Sequence, residues 1–408
     1  MQSEHVTVLH LVQPVEGGVA RVVTDLVRAQ AAAGLRPVVA CPPGGRLAAD
    51  AREAGAEVHP WRAGRAPGPG LAAETLRAAR LVRLVRPDLL HAHSAKAGLA
   101  GRLAVRGGLP TLFQPHAWSF DAVGGTTAAL ALRWERFGAR WADRVLCVSE
   151  AERRAGESAG IDAHWAVVRN GVDLEHFRPA GPDPAQDKAA ARAGLDLPAA
   201  FRGDGPLAVC VGRLCQQKGQ DVLLRAWPEV LATVPGARLA LVGDGPDAER
   251  LRRAAPPGVL FPGAAADIRP WLRAADLVVL PSRWEGMALA PLEAMACGRP
   301  VLVSDVSGAR ESLPPGQGRL CLVPPEQPTP LAKALGELLA DPDLLDRLGR
   351  QAQQHARTDF DVRRATDAVT GLYHELLAGP SHCLRRWGSP RRGRDEDLQP
   401  LNQERNSR

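Results

Sequence analysis

Short apolar runs alternate with amphipathic segments along most of the chain, and the alternation occurs in two series, which confines the fold to the α/β class. Val6 to Val12, Pro37 to Cys41, Leu89 to His91, Thr111 to Phe113, Val145 to Val148 and Ala166 to Val168 read as strands of the first series. The second comprises Leu207 to Val211, Arg238 to Val242, Val259 to Phe261, Leu277 to Leu280 and Pro300 to Val303. Runs this apolar, spaced by helical patterns, belong to parallel sheets covered on both faces. Each series predicts a doubly wound sheet, and 408 residues accommodate two. Between them, Pro179 to Pro206 is rich in Pro, Ala, Gly and Asp and reads as a linker region.

The net charge of +6 is half contributed by the tail Gly379 to Arg408, where seven Arg face four acids. A nearly neutral core without a concentrated basic face argues against a nucleic-acid protein. The tail lacks an apolar period and is expected to be disordered, with an Arg-rich tether to a membrane or partner as the alternative. Cysteines are scattered; Cys147, Cys210 and Cys321 fall in apolar runs that read as strands, so they suit small buried hydrophobes and not a disulfide framework. A cytoplasmic protein is expected. No leader pattern opens the sequence and no span reaches bilayer length, while the positive charge is compatible with a peripheral position on the inner face of the membrane.

The chemistry concentrates in ADLVVLPSRWEGMALAPLEAMACGRPV, Ala275 to Val301. A buried strand ends at Pro281, Met287 to Cys297 reads as a helix stopped by Gly298, and Glu285 and Glu293 lie before and within that helix. Free N–H groups at a helix start suit an anion, and carboxylates beside them suit hydroxyls. In the second series the strand Leu207 to Val211 runs into GRLCQQKG, where Arg213 and Lys218 can present two cations from a βα loop. In the first, Gly17 and Gly18 stand between a strand and a helix expected to begin near Val19, where backbone amides could face an anion or simply form a tight turn. A nucleotide-sugar pocket is the reading that unites these features.

The words ADLVVLPS, EGM, EAMACGRPV, GGVARVV and LVGDGP closely resemble the retaining glycosyltransferases of family 4, which have the GT-B fold of two Rossmann-like domains facing across a cleft. The resemblance implies an acceptor-side domain over residues 1–178, a linker over 179–206 and a donor domain over 207–359. It further implies a helix over 360–378 crossing back to the first domain, before a tail over 379–408. It assigns Arg213 and Lys218 to the donor diphosphate, Glu293 to the ribose hydroxyls and Glu285 to the transferred sugar. The amides of Gly286, Met287 and Ala288 are expected to bracket the sugar and distal phosphate, with Gly17 and Gly18 near donor phosphate and acceptor. His116, in FQPHAWSF, matches a cleft histidine near the reacting sugar; His91 and His93 could line the same cleft or be satisfied structural residues, and of the two only His93 is a weaker choice beside His116.

Implied with this are transfer from a UDP- or GDP-sugar to a glycan, lipid-linked or small-molecule acceptor, no metal and no cofactor beyond the donor. No residue pair acts as nucleophile and base; fixed cations would stabilise the leaving group. A role in cell-surface polysaccharide or glycolipid synthesis is a family-level expectation. A sugar-nucleotide epimerase of similar architecture and a catalytically silent binding protein of the same fold are the alternatives.

Three further patterns admit plainer readings. Gly243, Gly245 and Ala248 form a GxGxxA string, but the next strand ends in Pro262 and Gly263 and supplies no acid for a ribose. Asp341 with Asp343, and Asp395 with Asp397, suit helix capping and a solvated tail better than a metal. Trp134, Phe137 and Trp141, edged by Arg133, Arg136 and Arg140, form a helical stripe expected to pack on the first sheet, with a membrane-facing helix as the alternative.

Overall fold

Both sheets are wholly parallel. The computed structural model describes residues 6–65, 68–181, 183–203 and 205–379. In the first sheet β1 is Thr7–Val12, β2 Arg36–Cys41, β3 Glu57–Pro60, β4 Leu89–His93, β5 Thr111–Gln114, β6 Arg144–Cys147 and β7 Trp165–Val167, in the order β3-β2-β1-β4-β5-β6-β7. In the second β8 is Leu207–Val211, β9 Arg238–Val242, β10 Val259–Gly263, β11 Leu277–Leu280, β12 Val301–Ser304 and β13 Leu322–Val323, in the order β10-β9-β8-β11-β12-β13. Each order reverses direction beside its first strand, which opens a crevice at the strand ends. The central strands β1, β4, β8, β9 and β11 are buried at every position, as runs covered on both faces must be.

Sequence reading passes over β3 and β13. Both are edge strands; β3 (EVHP) has no fully buried residue and β13 has two residues, so neither carries an apolar run. Cys321, expected on a strand, instead ends the short helix Gly318–Cys321 and is fully buried there.

Residues 179–206 contain a helix, Pro184–Gly194, whose N-cap Asp183 accepts from the N–H groups of Ala185 and Gln186. It is tied to the second domain by charge. Asp187, with a fully buried side chain, pairs with Arg273 and Arg299, while Lys188 and Arg192 pair with Asp276. After the second sheet the chain returns to the first: Val172 N–H donates to Phe360 O at 2.7 Å and Val362 N–H to Val172 O at 3.1 Å. The helix Val362–Ala378 then buries Val369, Tyr373 and Leu376 against Val8, Leu26, Leu89, Leu112 and Leu146. Most of the tail, 380–408, and with it Asp395 and Asp397, lies outside the described residues. Among the described residues no helix is long and apolar enough to cross a membrane.

Candidate active site

The loops that follow β8, β9 and β11 stack in backbone contact and form one wall of the cleft. Leu214 N–H donates to Asp244 O at 2.9 Å. A Cβ on Gly243 would lie 2.0 Å from Gly212 O, and one on Gly245 2.3 Å from Leu214 O. The GxGxxA glycines therefore allow one loop to support another and need no dinucleotide to explain them.

Arg213 is exposed on this wall and has no ion pair among the described residues. Lys218 sits in a single 3-10 turn, Gln216–Lys218, and its Nζ donates to Glu285 Oε1 at 2.5 Å; Ser282 Oγ donates to the same oxygen at 2.7 Å. The helix expected over Met287 to Cys297 spans Leu289–Ala296, which leaves Gly286, Met287 and Ala288 as a loop at its start. Their N–H groups have no partner among the described residues, while two of their carbonyls are held from the other domain: Gly286 O by Ser149 Oγ at 3.2 Å and Met287 O by Asn170 Nδ2 at 2.7 Å. The carbonyls thus anchor the loop and the amides are left to the cleft.

Glu293, within the helix, is 6 % exposed, and its carboxylate makes no hydrogen bond among the described residues. Desolvation raises its pKa to about 7, against a lowering by Arg21 of the first domain and by Lys218.

Across the cleft, the first-domain helix begins at Gly17 and not near Val19, so Gly17 and Gly18 form its first turn. A Cβ at Gly18 would lie 3.9 Å from Leu289, the first residue of the opposite helix. The two helix starts face each other.

His116 follows β5 in a loop of unusual backbone, with φ of +58° at His116 and +138° at Ala117. Glu152 underpins this loop. Its Oε2 accepts from Val148 N–H at 2.7 Å and its backbone carbonyl from Trp118 Nε1 at 2.7 Å. Burial raises the Glu152 carboxyl to about 7, opposed by hydrogen bonds from the N–H groups of Val148 and Ala117. Gly286 of the second domain packs directly on this loop; a Cβ there would lie 2.9 Å from the His116 carbonyl carbon and 2.8 Å from Val148 Cγ2. The imidazole is half-buried, and desolvation lowers its pKa to about 3.

His93 touches His116, its Nδ1 standing 3.1 Å from His116 Nε2. His91 lies deeper. With His10 they form a buried group in which one ring nitrogen of each lies within 4.8 Å of the others, a spacing a metal could occupy; the nitrogens of His10 and His93 and Nδ1 of His91 already bond one another, His116, Gln30 and Tyr373, while His91 Nε2 has no hydrogen-bond partner among the described residues. Sequence reasoning passed over His10, although a lone polar residue in the otherwise buried run TVLHLV marks an internal polar contact. It also passed over Glu311, whose carboxylate caps the helix Glu150–Ser158 from the other domain, accepting from Ala151 N–H at 2.8 Å and Glu150 N–H at 3.1 Å and pairing with Arg169.

The aromatic stripe departs from expectation. Trp134, Phe137 and Trp141 pack on one another, with centroids 5.1–6.3 Å apart, and Phe137 is 44 % exposed. Trp134 lies over the buried guanidinium of Arg102, which also lies over Phe113 of β5 and whose charge is matched by Glu135 at 2.7 Å, so a cation stands between the Trp134 ring and the sheet. Asp341 caps the helix Pro342–Asp359 by accepting from Leu344 N–H.

A family model described as "Glycosyltransferase Family 4" matches residues 16–176, and one described as "Glycosyl transferases group 1" matches 205–341. The chain is 35% identical to D-inositol 3-phosphate glycosyltransferase of Streptomyces bingchenggensis, across 72% of this chain and 67% of that protein. It is 34% identical to the GDP-mannose-dependent monoacylated alpha-(1-6)-phosphatidylinositol monomannoside mannosyltransferase of Corynebacterium glutamicum, across 54% of this chain and 58% of that one. The structure of Anabaena Alr3699/HepE in complex with UDP-glucose superposes with a TM-score of 0.77 at 24% identity, covering 91% of this chain and all of that one, which shows the shared GT-B fold. With matches on both domains and a relative spanned over two thirds of its length, the chain is a glycosyltransferase and belongs to glycosyltransferase family 4.

Proposed function

We propose that the chain transfers a hexose from a nucleotide-diphosphate sugar, UDP-linked in preference to GDP-linked, to an acceptor hydroxyl with retention of anomeric configuration. The observation that carries this reading is the wall formed by Arg213, Lys218 and the N–H groups of Gly286, Met287 and Ala288, beside the buried carboxylate of Glu293; neither those amides nor that carboxylate has a hydrogen-bond partner among the described residues. In the reaction the bond from the anomeric carbon to the diphosphate oxygen breaks and the bond to the acceptor oxygen forms. The acceptor proton passes to the departing phosphate on the same face. Fixed cations and amides act most on the charge that grows as the diphosphate leaves, which is why no metal is needed in this reading.

His116 and Glu285 are assigned to the transferred sugar, Glu293 to the ribose, and Gly17 and Gly18 to the phosphate and acceptor side. An acceptor in glycolipid or polysaccharide assembly, reached by peripheral contact with a membrane, is supported by the lipid-linked substrate in the name of the Corynebacterium relative. Domain closure would exclude water and limit hydrolysis.

The test is a thermal-shift panel of UDP, GDP, ADP and dTDP, followed by incubation with the matching sugar nucleotide and NMR of the product anomer, with and without EDTA. A single stabilising nucleotide, an α-linked product from an α-linked donor and indifference to EDTA are expected. Inversion at the anomeric carbon, EDTA-sensitive turnover or an epimerised free sugar nucleotide would overturn the corresponding element.

A further inference from the structure

Three histidines, one amide and one phenol form a continuous chain of hydrogen bonds from the cleft to the crossing helix, where a fourth histidine ends it. His116 Nε2 stands 3.1 Å from His93 Nδ1, His93 Nε2 3.0 Å from His10 Nδ1, and His10 Nε2 2.8 Å from Gln30 Oε1. Gln30 Nε2 stands 3.2 Å from the Tyr373 hydroxyl, which lies 2.7 Å from His91 Nδ1. Apart from His116, every member is fully buried.

Strand pairing creates the arrangement. His10 of β1 is the register partner of His91 of β4, and His93 lies two residues further on, so the three rings share one face of the sheet. Gln30, on the helix Gly17–Ala32, and Tyr373, on Val362–Ala378, meet them there.

With Gln30 Oε1 facing His10 and its Nε2 facing Tyr373, valence fixes the direction of each bond. Gln30 Oε1 only accepts, so His10 carries its proton on Nε2. A neutral imidazole has one N–H, so His10 Nδ1 accepts from His93 Nε2, and His93 Nδ1 in turn accepts from His116 Nε2. His116 Nδ1 is left with its lone pair and has no partner among the described residues. At the far end the Gln30 amide donates to Tyr373, whose own proton goes to His91 Nδ1. Burial, which lowers the pKa of all four imidazoles, keeps the rings neutral.

We propose that His93, His10, Gln30 and Tyr373 are positioning residues that hold His116 as its Nε2–H tautomer and so reserve Nδ1 as a hydrogen-bond acceptor for a substrate hydroxyl. The substrate part rests on the glycosyl-transfer reading; the tautomer part does not. Because Tyr373 arrives on the helix that returns from the second domain, the polarity of the cleft histidine depends on that helix being docked.

Long-range nitrogen–proton spectra of the full chain labelled at histidine read the tautomer directly, with His116 identified by its loss in His116→Gln. A wild-type His116 protonated at Nε2 is expected, with mixed tautomers in Tyr373→Phe and His93→Leu. In turnover, His93→Leu lowers kcat about tenfold with KM nearly unchanged, a size ordinary for a partner that orients a functional imidazole. His93→Asn, whose amide oxygen still accepts from His116 Nε2, recovers most of that loss. A wild-type His116 protonated at Nδ1, as the opposite Gln30 amide orientation would impose, overturns the proposal; so does an Asn variant as impaired as the Leu variant while both melt like wild type. The spectra need no substrate, so failure of the glycosyl-transfer reading shows separately, as absence of nucleotide binding and product in the wild type.

Discussion

Lys218 Nζ stands 2.5 Å from Glu285 Oε1, so the cation assigned to the diphosphate and the carboxylate assigned to the sugar neutralise each other across the cleft wall. A diphosphate therefore competes with Glu285 for Lys218. Lys218→Ala is expected to weaken nucleoside diphosphate binding at least tenfold, since a hydrogen bond to a charged group contributes about 1.5–3 kcal/mol. Glu285→Gln, which frees the ammonium, should bind the diphosphate as tightly as wild type or tighter while losing transfer. Calorimetry on both variants checks the pair; equal weakening in both would show that the pair acts only as a structural bridge.

Glu293 makes stability depend on pH. Its folded pKa, raised by burial to about 7, lies above the ordinary value of 4.5, so the stability it contributes is present below about pH 4.5 and is lost as pH rises through 7. Glu293→Gln should melt above wild type at pH 8 and alongside it at pH 4.5. The same variant should bind nucleotide less tightly, having lost a carboxylate acceptor for the ribose; paired melting and titration series at the two pH values measure both effects.

At Gly286 the two domains meet with no room for a side chain. With Val148 Cγ2 at 2.8 Å and the His116 carbonyl carbon at 2.9 Å from a Cβ placed there, Gly286→Ala forces the two loops apart. The expected cost is about 1–3 kcal/mol of domain closure. Small-angle scattering should show a larger radius of gyration, with unchanged circular dichroism and strongly reduced transfer.

Glu311 closes the same interface by capping the helix Glu150–Ser158 and pairing with Arg169. Glu311→Ala leaves both amides without that acceptor, and the loss of a cap costs about 1 kcal/mol. Faster proteolysis between the domains, with little change in nucleotide affinity, is the expected outcome.

Asp187 has a fully buried side chain between Arg273 and Arg299. Asp187→Ala would leave two guanidinium groups short of a counter-charge, one of them almost wholly buried, and should destabilise the second domain by about 3–5 kcal/mol in urea titrations. Such a loss would establish that the helix Pro184–Gly194 is part of that domain's fold.

What the sequence by itself determined is local. Buried parallel strands announce themselves as apolar runs, so the central strands of both sheets were legible, and β8, β9 and β11 to the residue. The positions of Arg213, Lys218, Glu285 and Glu293 on or beside loops that follow such strands were legible as well. Tertiary structure alone decided which of these side chains meet. Lys218 and Glu285 are 67 positions apart, His10 and His93 83, Glu311 and Glu150 161, and Tyr373 and His91 282. No periodicity encodes those pairs, because they depend on strand order, on a register that puts His10 beside His91, and on a helix that crosses between domains. The edge strands β3 and β13 escaped for the complementary reason: half-exposed or very short, they bury too little apolar surface to leave a pattern, and the sheet beside them supplies the pairing that makes them strands.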